Sequence, residues 1–391
     1  MAERLSADFE VLTPLFMGEA DQSESALRPP SIKGLLRFWY RAVAPTAACS
    51  EAELFGGAGK HQGQAPFLLR VRIDKDRAGQ PASWHWNNRQ IARFDKGHGR
   101  ETRNGLRYLG YPFGLGAQRE ALAPATRFIL EALFPKPATA AQRRALLAAV
   151  WLLGHLGGAG SRARRGFGSL ALQRWQLDSG APWPELEALQ PLAAAPNSGA
   201  WRHGYEQVRA LFEDWFGRFD QSDHPPGDQP PPRPHLGGKT RLHLAPRAGD
   251  DWQAALAWMG RRLQDFRLRK APDYQQVKNH LSGARRLERA PERAAFGLPL
   301  TFRYGSLRAA RPITFEPFDP RQGTTLQRQG SLLHLRLARL ADGLHPLFLR
   351  LDGAVPGQAG SLVAPHAERR PLRAAEVNLL DRFMDQLEEA R

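Results

Sequence analysis

The chain has 391 residues, 42% of them hydrophobic and 24% charged, which is typical of a globular protein and long enough for two domains. Its 55 Lys and Arg outnumber 39 Asp and Glu, which leaves a net charge of +16. This excess favours a polyanionic partner such as nucleic acid, because cations that neutralise phosphates release condensed counterions. An arginine-rich composition from a GC-biased genome is the alternative explanation.

Cysteine content and hydropathy exclude several other classes of protein. The single cysteine, Cys49, excludes an internal disulfide and a cysteine cluster for zinc, and fits a reducing compartment. No apolar run approaches the roughly 20 residues of a membrane span, and the N-terminal "MAERLSADFE" is unlike a signal peptide. We therefore expect a soluble cytoplasmic protein with no membrane partner.

The first half of the chain alternates between strand and helix patterns, separated after Asp74 by a polar, Gly-rich insertion. The predicted elements are a strand from Phe9 in "FEVLTPLFMG", a helix in "LRPPSIKGLLRFWYRA" (27–42), strands in "FLLRVRID" (67–74) and "TRFILEALF" (126–134), a helix in "AQRRALLAAVWLLGHL" (141–156) and a strand in "SLALQRWQL" (169–177). Strand, helix, strand, strand, helix, strand is the order of a ferredoxin-like, RRM-like unit.

The second half repeats this α+β texture after a Pro-rich stretch, "DQSDHPPGDQPPPRPHLGG". It contains a strand in "TRLHLAP", a helix in "DDWQAALAWMGRRLQDFRLR", strands in "LPLTFRY", "LLHLRLARL" and "HPLFLRL", and a final helix in "AAEVNLLDRFMDQLEEA". The sequence predicts two ferredoxin-like units with long loop insertions: an N-terminal domain at 1–220, a Pro-rich loop or linker at 221–238, and a C-terminal domain at 239–391. The role of the Pro-rich 221–235 stays open.

The helix behind Pro29 and Pro30 has a basic face. Ser31 is a candidate N-cap, and a buried stripe at helical spacing consists of Ile32, Leu35, Leu36, Trp39 and Val43. Three cations four residues apart, Lys33, Arg37 and Arg41, line another face with no acid among them. Like charges at this spacing repel, so helix stability does not explain them. They indicate a phosphate-binding face or simply a solvated one, and Tyr40, off the stripe, is a candidate base-stacking residue.

A second basic motif follows the helix that ends near Leu156, in "HLGGAGSRARRGFGSL". Its glycines are 157, 158, 160, 166 and 168, and its arginines are Arg162, Arg164 and Arg165. Glycines allow close approach of the backbone to a ligand, and guanidinium groups bind phosphate in a forked geometry. The pattern therefore predicts a loop that grips a nucleic-acid backbone, although one Gly at a helix end would be ordinary. It is neither a nucleotide-hydrolase phosphate loop nor a dinucleotide-binding fingerprint.

Together, "LTPLFMGEA…LRPPSIKGLLRFWYRA", "GSRARRGFGSL" and "FGLPLTFRY" resemble the RAMP superfamily, and within it the first RAMP subunit of the Cmr, type III-B CRISPR, effector complex. The resemblance implies a non-catalytic RNA reader near the 3′ side of guide and target RNA, with guide RNA, single-stranded target RNA and other RAMP subunits as partners in antiviral defence. The RNA-binding residues that the motifs imply are Ile32, Lys33, Gly34, Arg37, Tyr40, Arg41, Gly160, Ser161, Arg162, Arg164, Arg165, Gly166 and Gly168.

The chain departs from the family pattern after "TPLF", where Glu19, Asp21 and Glu24 place acids near the expected RNA path. A third basic segment, Arg261 to Arg293, holds ten Lys or Arg against four acids. This segment is equally consistent with an RNA surface and with a protein interface, where Arg is also enriched.

No residue pattern indicates catalysis, a metal site or a cofactor. The 12 histidines are scattered, and neither HExxH nor a two-metal carboxylate spacing occurs. We therefore expect a protein that is not an enzyme. Two alternatives stay open: a metal-independent guide-RNA-processing endonuclease of the same superfamily, with His98 as its base, and a general basic RNA chaperone.

Overall fold

The computed structural model places the chain in two compact units, each built from several stretches. Unit 1 comprises 1–219, 244–261 and 335–348, and unit 2 comprises 220–243, 262–334 and 349–391. One unit boundary coincides with the predicted boundary near 220, whereas two stretches of the predicted C-terminal domain lie in unit 1. The structure describes residues 2–18, 25–44, 51–57, 59, 63–73, 83–93, 95–96, 103–114, 119–217, 233–249, 251–268, 271–307, 311–358, 361–366 and 370–389.

Helices and strands alternate along the described residues. The helices are α1 (Pro29–Val43), α2 (Glu51–Phe55), α3 (Asn88–Ala92), α4 (Gly105–Leu109), α5 (Ala140–His155), α6 (Pro184–Ala188), α7 (Ser198–Phe216), α8 (Trp252–Leu268), α9 (Ala271–Leu281) and α10 (Leu379–Glu389), with 3₁₀ turns at Tyr111–Gly114 and Glu292–Phe296. The strands are β1 (Glu3–Val11), β2 (Leu68–Ile73), β3 (Ser83–His85), β4 (Asp95–Lys96), β5 (Arg103–Asn104), β6 (Glu120–Leu122), β7 (Arg127–Phe134), β8 (Leu170–Asp178), β9 (Arg241–Leu244), β10 (Leu300–Phe302), β11 (Ile313–Asp319), β12 (Thr324–Thr325), β13 (Leu333–Leu340), β14 (Gly343–Arg350) and β15 (Val363–Pro365).

Unit 1 is organised around an antiparallel sheet in the order β2-β7-β1-β8. Alternate residues of β1 and β7 are buried, and Phe9 pairs with Phe128 with the two rings stacked at 5.0 Å. Helices α1 and α5 pack against each other, and every residue of α5 from 145 to 155 is buried. A helix that is apolar on all sides is typical of a core position. The order β1, α1, β2, β7, α5, β8 is the order predicted for the first half of the sequence.

The strands of the second half form smaller sheets. Strands β10, β11 and β12 follow one another in a sheet in which β15 also pairs with β11, and a three-stranded sheet has the order β13-β14-β9. The fold is therefore α+β with antiparallel pairing, as predicted. The prediction of two ferredoxin-like units is not confirmed.

One local prediction is wrong, and the structure adds two helices for which no prediction was made. Helix α1 begins at Pro29 with Arg28 at the N-cap position, so Ser31 lies inside the first turn and does not cap it. Proline tolerates the first helical positions because those backbone groups donate no intrahelical hydrogen bond. No element is predicted over 184–216, where the structure has α6 and α7. Most of the Pro-rich segment, 218–232, lies outside the described residues.

Among the described residues, no helix is both long and apolar enough to span a membrane. The longest described helix, α7, carries Arg and Glu side chains paired along its surface at Arg209, Glu206 and Glu213. Its buried residues, Trp201, Tyr205, Val208 and Phe212, recur at helical spacing, which is the pattern of an amphipathic helix on a globular core.

Candidate nucleic-acid interface

The two loops that carry the sequence motifs are hydrogen-bonded to each other. The first is the motif-1 segment, Leu12–Gly18, and the second is the Gly/Arg loop, Gly157–Ser169. Backbone bonds join them from Leu12 N to Ser169 O (2.8 Å), Gly168 N to Pro14 O (2.9 Å) and Ser161 N to Phe16 O (2.8 Å). The Thr13 hydroxyl donates to Gly166 O at 2.7 Å and accepts from Ser169 N at 2.9 Å. Residues 150 positions apart in sequence therefore form one ordered surface.

The glycines of the Gly/Arg loop are explained by packing within the chain. Gly160, Gly166 and Gly168 have positive φ angles of 82°, 92° and 61°. A Cβ atom on Gly168 would lie 1.9 Å from Ala159 O, and one on Gly160 would lie 2.4 Å from Phe16 O. Side chains at these positions would collide with backbone, so the glycines allow the loop to fold against motif 1. The predicted close approach to RNA stays a prediction for these residues.

A buried arginine that the sequence analysis missed binds the backbone at the start of this loop. Arg336 on β13 is 2% exposed, and its Nη1 donates to Gly157 O at 2.9 Å while Nη2 donates to Gly154 O at 3.1 Å and to Leu170 O. Burial lowers the Arg336 pKa to about 9, so the guanidinium is still charged at neutral pH. A cation among the last carbonyls of α5 is also favoured by the helix dipole. Arg336 therefore fixes the end of α5 and the start of the Gly/Arg loop.

His155, the last residue of α5, lies beside this guanidinium. Its ring lies tilted against the Trp151 ring at 4.6 Å, and its Nε2 accepts a hydrogen bond from Leu192 N at 3.3 Å. Burial first, and the Arg336 charge second, hold the His155 pKa well below its usual value. The residue is therefore a neutral packing group that is 3% exposed.

A cavity of about 560 Å³ opens in unit 1 where the two loops meet the first turns of α1. Its charged residues are Arg28, Arg119 and Glu120, and the cavity is also lined by Phe16, Met17, Gly18, Ser31, Leu35, Gly160 and Ser161. Arg28 and Arg119 are exposed, and neither has an ion-pair partner within the part of the chain that the structure describes. The cavity therefore offers two guanidinium groups, two hydroxyls and loop backbone to an anionic ligand.

The basic face of α1 has an acidic partner that the sequence analysis did not foresee. Glu51 on α2 accepts from Arg41 through both carboxylate oxygens at 2.9 Å and lies 3.6 Å from Arg37. Arg37 also donates to the carbonyls of Phe55 and Gly56. The expectation of a face without an acid is wrong, because a separate short helix brings the carboxylate to it. Lys33 is half-buried, and burial together with the Arg37 charge lowers its pKa.

Tyr40 is not the exposed stacking residue that the sequence predicted. It is 1% exposed, with its ring 6.0 Å from Phe55 and 6.5 Å from Phe216. The prediction is wrong because α2 and α7 cover a second side of α1, which widens its buried face. Ile32 and Trp39 are buried as predicted. Gly34 is exposed, and a Cβ atom there would meet nothing within 4 Å.

The three arginines of the Gly/Arg loop are half-buried and engaged with the protein. Arg162 has a φ angle of 63° and donates to Leu109 O at 2.8 Å, while the Arg164 guanidinium lies 5.4 Å from the centre of the Phe38 ring. The backbone of Arg165 forms an isolated parallel β-bridge with Leu335 on β13. Of all the predicted site residues, the cavity is lined only by Gly160 and Ser161. Arg28 stood inside the "LRPPSIKG" motif and could have been found there.

The outward face of the four-stranded sheet is not an aromatic platform. The registers place Arg70, Glu131, Ser6 and Gln176 in one row across it, and Arg72, Ile129, Asp8 and Arg174 in the next. Glu131 pairs with Arg72 at 3.1 Å, and Arg174 pairs with Asp8. RRM domains stack bases on aromatic side chains of this face, and these rows contain none. These rows of the sheet therefore offer no aromatic platform on which RNA bases could stack.

Among the described residues, no group of three His, Cys, Asp or Glu side chains could hold a metal ion. His98, which the endonuclease alternative requires, lies outside the described residues, as do Asp74 and Glu101. The acids of the departure from the family pattern, Glu19, Asp21 and Glu24, also lie outside them.

The fold and the convergence of these motifs define the class of protein. Residues 8–171 match the RAMP superfamily model, and this range contains both loops, α1 and the entire cavity. The predicted resemblance to the RAMP superfamily is confirmed.

Relatives narrow the resemblance further. The chain is 29% identical over 189 residues to the CRISPR system Cmr subunit Cmr1-2 of Pyrococcus furiosus. The aligned region covers 42% of this chain and 93% of the relative. Its fold is similar to the crystal structure of apo Cmr1 from Pyrococcus furiosus, with a TM-score of 0.56 and 16% identity over 98% of this chain and 96% of that one. A chain of the type III-B Cmr-beta complex bound to cognate target RNA gives a TM-score of 0.55 and 11% identity, with 100% and 99% covered. The predicted resemblance to the first RAMP subunit of type III-B Cmr systems is confirmed.

Proposed function

We propose that the chain is an RNA-binding RAMP subunit of a type III-B Cmr complex, that it contacts guide and target RNA near their 3′ side, and that it cuts neither. The observation that carries the proposal is the cavity of unit 1. Three separate motif segments, motif 1, the start of α1 and the Gly/Arg loop, line it within the range that matches the RAMP model.

The chemistry of the cavity suits an RNA backbone. Arg28 and Arg119 are exposed guanidinium groups, and they line the cavity together with the small Ser31 and Ser161. Guanidinium and hydroxyl groups bind phosphate and ribose oxygens, which fix the path of a strand without reading its sequence. Glu120 is the one carboxylate in the lining, and it would repel phosphate and favour contact with a base or a 2′-hydroxyl on that side.

The predicted RNA-binding set changes accordingly. Gly160 and Ser161 stay in the set as cavity residues, and Lys33 and Gly34 stay as neighbours of Ser31 and Leu35 on α1. Arg37 and Arg41 contribute first to the contact with α2, because phosphate would have to compete with Glu51. Arg162, Arg164, Arg165, Gly166 and Gly168 position the loop.

Purification of the tagged full-length chain from its host tests this function. We expect RNA and other RAMP subunits to co-purify with it in a defined complex. Recovery of mixed RNA without any preferred protein partner would contradict the proposal and indicate a general RNA chaperone.

The absence of a catalytic role has its own test. Labelled repeat RNA, incubated with the purified chain without metal, is expected to stay intact. Discrete cleavage that disappears in a His98→Ala variant would contradict the proposal and identify a guide-processing endonuclease.

A further inference from the structure

Unit 2 carries a second cavity, of about 230 Å³, on the surface of α9. Its polar lining consists of three guanidinium groups, three carboxamides and two carboxylates: Arg285, Arg286, Arg289, Gln275, Gln276, Asn279, Glu288 and Glu376. This surface lies in the Arg261–Arg293 segment, whose role the sequence left open between RNA and protein. The cavity is too small for a separate ligand of drug size and fits one unit of a longer chain.

Local geometry builds this surface from two sides. Gly283, with a φ angle of 75°, ends α9, and the chain then folds back so that Ala284 N and Arg285 N both donate to Asn279 O. Gln275 Nε2 donates to Asn279 Oδ1 at 2.6 Å across one helical turn. The position of the arginine pair beside these two amides is therefore fixed by backbone contacts.

The far side of the arginine pair is also anchored. Leu287 is buried, and the next residues pair with the segment around Arg373 through bonds of 2.9 Å from Arg373 N to Glu288 O and 2.8 Å from Ala290 N to Arg373 O. Arg285 and Arg286 are exposed on this anchored stretch.

Two other arginines of the segment are engaged within unit 2. Arg293 pairs with the buried Asp273 at 3.2 Å and lies over the Phe302 ring, and Arg289 lies 3.4 Å from Glu376. In contrast, Arg285 and Arg286 have no ion-pair partner among the residues that the structure describes. These two cations are available to an external anion.

The composition of the surface favours nucleic acid over protein. Protein interfaces have an apolar core from which charged residues are depleted, whereas this lining consists of charged and amide side chains around the buried Leu287. Arginine binds phosphate, and Asn and Gln pair with base edges. Tyr274, the residue before Gln275 on α9, packs against the Tyr304 ring at 4.9 Å. It is 50% exposed, and its exposed part adds a surface on which a base could stack.

We propose that the α9 surface, defined by Tyr274, Gln275, Asn279, Arg285 and Arg286, is a second contact for single-stranded RNA. The proposal rests on the proposed function, since it assumes that the chain binds RNA, and adds a site in unit 2 that no sequence motif marks. Phosphates contact the arginine pair, and the amides contact the base or ribose of one nucleotide.

The test is titration of a labelled oligouridine with the full-length chain at several salt concentrations. The variant Arg285→Gln/Arg286→Gln is compared with a matched control, Arg321→Gln/Arg328→Gln, which removes two exposed arginines elsewhere in unit 2. We expect the first variant to bind about tenfold more weakly and to lose about 1.4 from the slope of log affinity against log salt, at about 0.7 per phosphate contact. The control is expected to match the wild type.

Other outcomes separate this inference from the proposed function. If the α9 variant binds RNA like the wild type while Arg28→Gln/Arg119→Gln binds more weakly, the inference is wrong and the proposed function stands. If the α9 variant binds RNA normally but fails to join its complex, the surface docks a protein and the inference is again wrong. If the wild-type chain and both variants show no RNA binding, the proposed function itself fails.

Discussion

The basic face of α1 and the mouth of the unit 1 cavity differ in what their arginines already contact. Arg37 and Arg41 stand out in the sequence, yet Glu51 holds both at the surface of α2. Arg28 and Arg119 are far apart in sequence, yet both line one cavity. Neither has an ion-pair partner among the described residues. Local density of positive charge therefore does not identify the available cations, because availability depends on partners brought by the tertiary fold.

The largest expected effect on stability concerns Tyr40, which lies on α1 and packs in the core of the protein. Replacement by alanine removes a ring that is 1% exposed and packs near Phe55 and Phe216. We expect Tyr40→Ala to lower the free energy of unfolding by about 3 to 5 kcal/mol, as for other buried aromatic truncations. Denaturant unfolding followed by circular dichroism measures this loss.

RNA binding by the folded fraction of this variant provides the control. If Tyr40 only packs the core, the folded protein binds RNA with unchanged affinity. A variant that unfolds like the wild type but binds RNA poorly would return Tyr40 to the role of a stacking residue.

Substitution of Arg336 tests whether the Gly/Arg loop depends on the hydrogen bonds of this buried guanidinium. Arg336→Met keeps most of the side-chain volume but leaves the carbonyls of Gly154, Gly157 and Leu170 without their donor. We expect a loss of about 3 kcal/mol in unfolding free energy, since each buried unsatisfied carbonyl costs about 1 to 3 kcal/mol. Arg336→Lys should recover only part of it, because one ammonium cannot reproduce the fork of the guanidinium.

Hydrogen exchange provides the readout specific to the loop. Amides of the Gly/Arg loop, such as Ser161 N and Gly168 N, should exchange faster in Arg336→Met than in the wild type. The exchange is measured without denaturant, at a pH where the variant stays folded. Uniform faster exchange throughout unit 1, with no excess in the loop, would contradict a positioning role.

Periodicity and motif order were sufficient to predict the four-stranded sheet of unit 1 and the helices α1 and α5. The strands β2, β7 and β8 and the helices α1 and α5 lie within a few residues of the predicted segments, because their apolar spacing is regular. The stripe of α1 was predicted too narrow, since periodicity finds one buried side and cannot reveal that α2 and α7 cover another. Short polar elements such as α3 lack any such pattern.

The candidate site was predicted only in part for a related reason. Gly160 and Ser161 were found through their motif, whereas Arg119 lies in no motif and reaches the cavity only through folding. Arg336 sits in "LLHLRLARL", where the buried Arg336 and the half-buried Arg339 look alike in sequence. Glu51 follows α1 by eight residues, and only the position of α2 turns its carboxylate toward Arg37 and Arg41.

The pH dependence of stability gives a smaller effect at the base of the same loop. Burial lowers the His155 pKa in the folded state, so the unfolded state binds more protons than the folded state once the pH falls below about 6.5. Stability contributed by neutral His155 is therefore present above that pH and is lost on acidification, by at most about 1.4 kcal/mol per pH unit. Unfolding measured from pH 7 to pH 5 should show a shallower decline in His155→Gln than in wild type, and equal slopes would contradict the assignment.

The variant Gly34→Ala has the smallest expected change in stability, and it distinguishes an effect on stability from an effect on RNA affinity. Because a Cβ atom there meets nothing within 4 Å, Gly34→Ala should stabilise α1 by up to about 1 kcal/mol. If RNA approaches this turn beside Ser31 and Leu35, the same variant should bind RNA more weakly despite its higher stability. Gain in stability with unchanged affinity would place the RNA path away from Gly34.

Two neutralised pairs, compared in one RNA titration, test the central claim most directly. Arg28→Gln/Arg119→Gln removes the cavity cations, and Arg37→Gln/Arg41→Gln removes the same charge from the face that Glu51 holds. The account predicts that the cavity pair weakens oligouridine binding about tenfold and lowers the salt slope by about 1.4, while the α1 pair leaves the slope unchanged. A reduced slope in the α1 pair together with a wild-type slope in the cavity pair would contradict it.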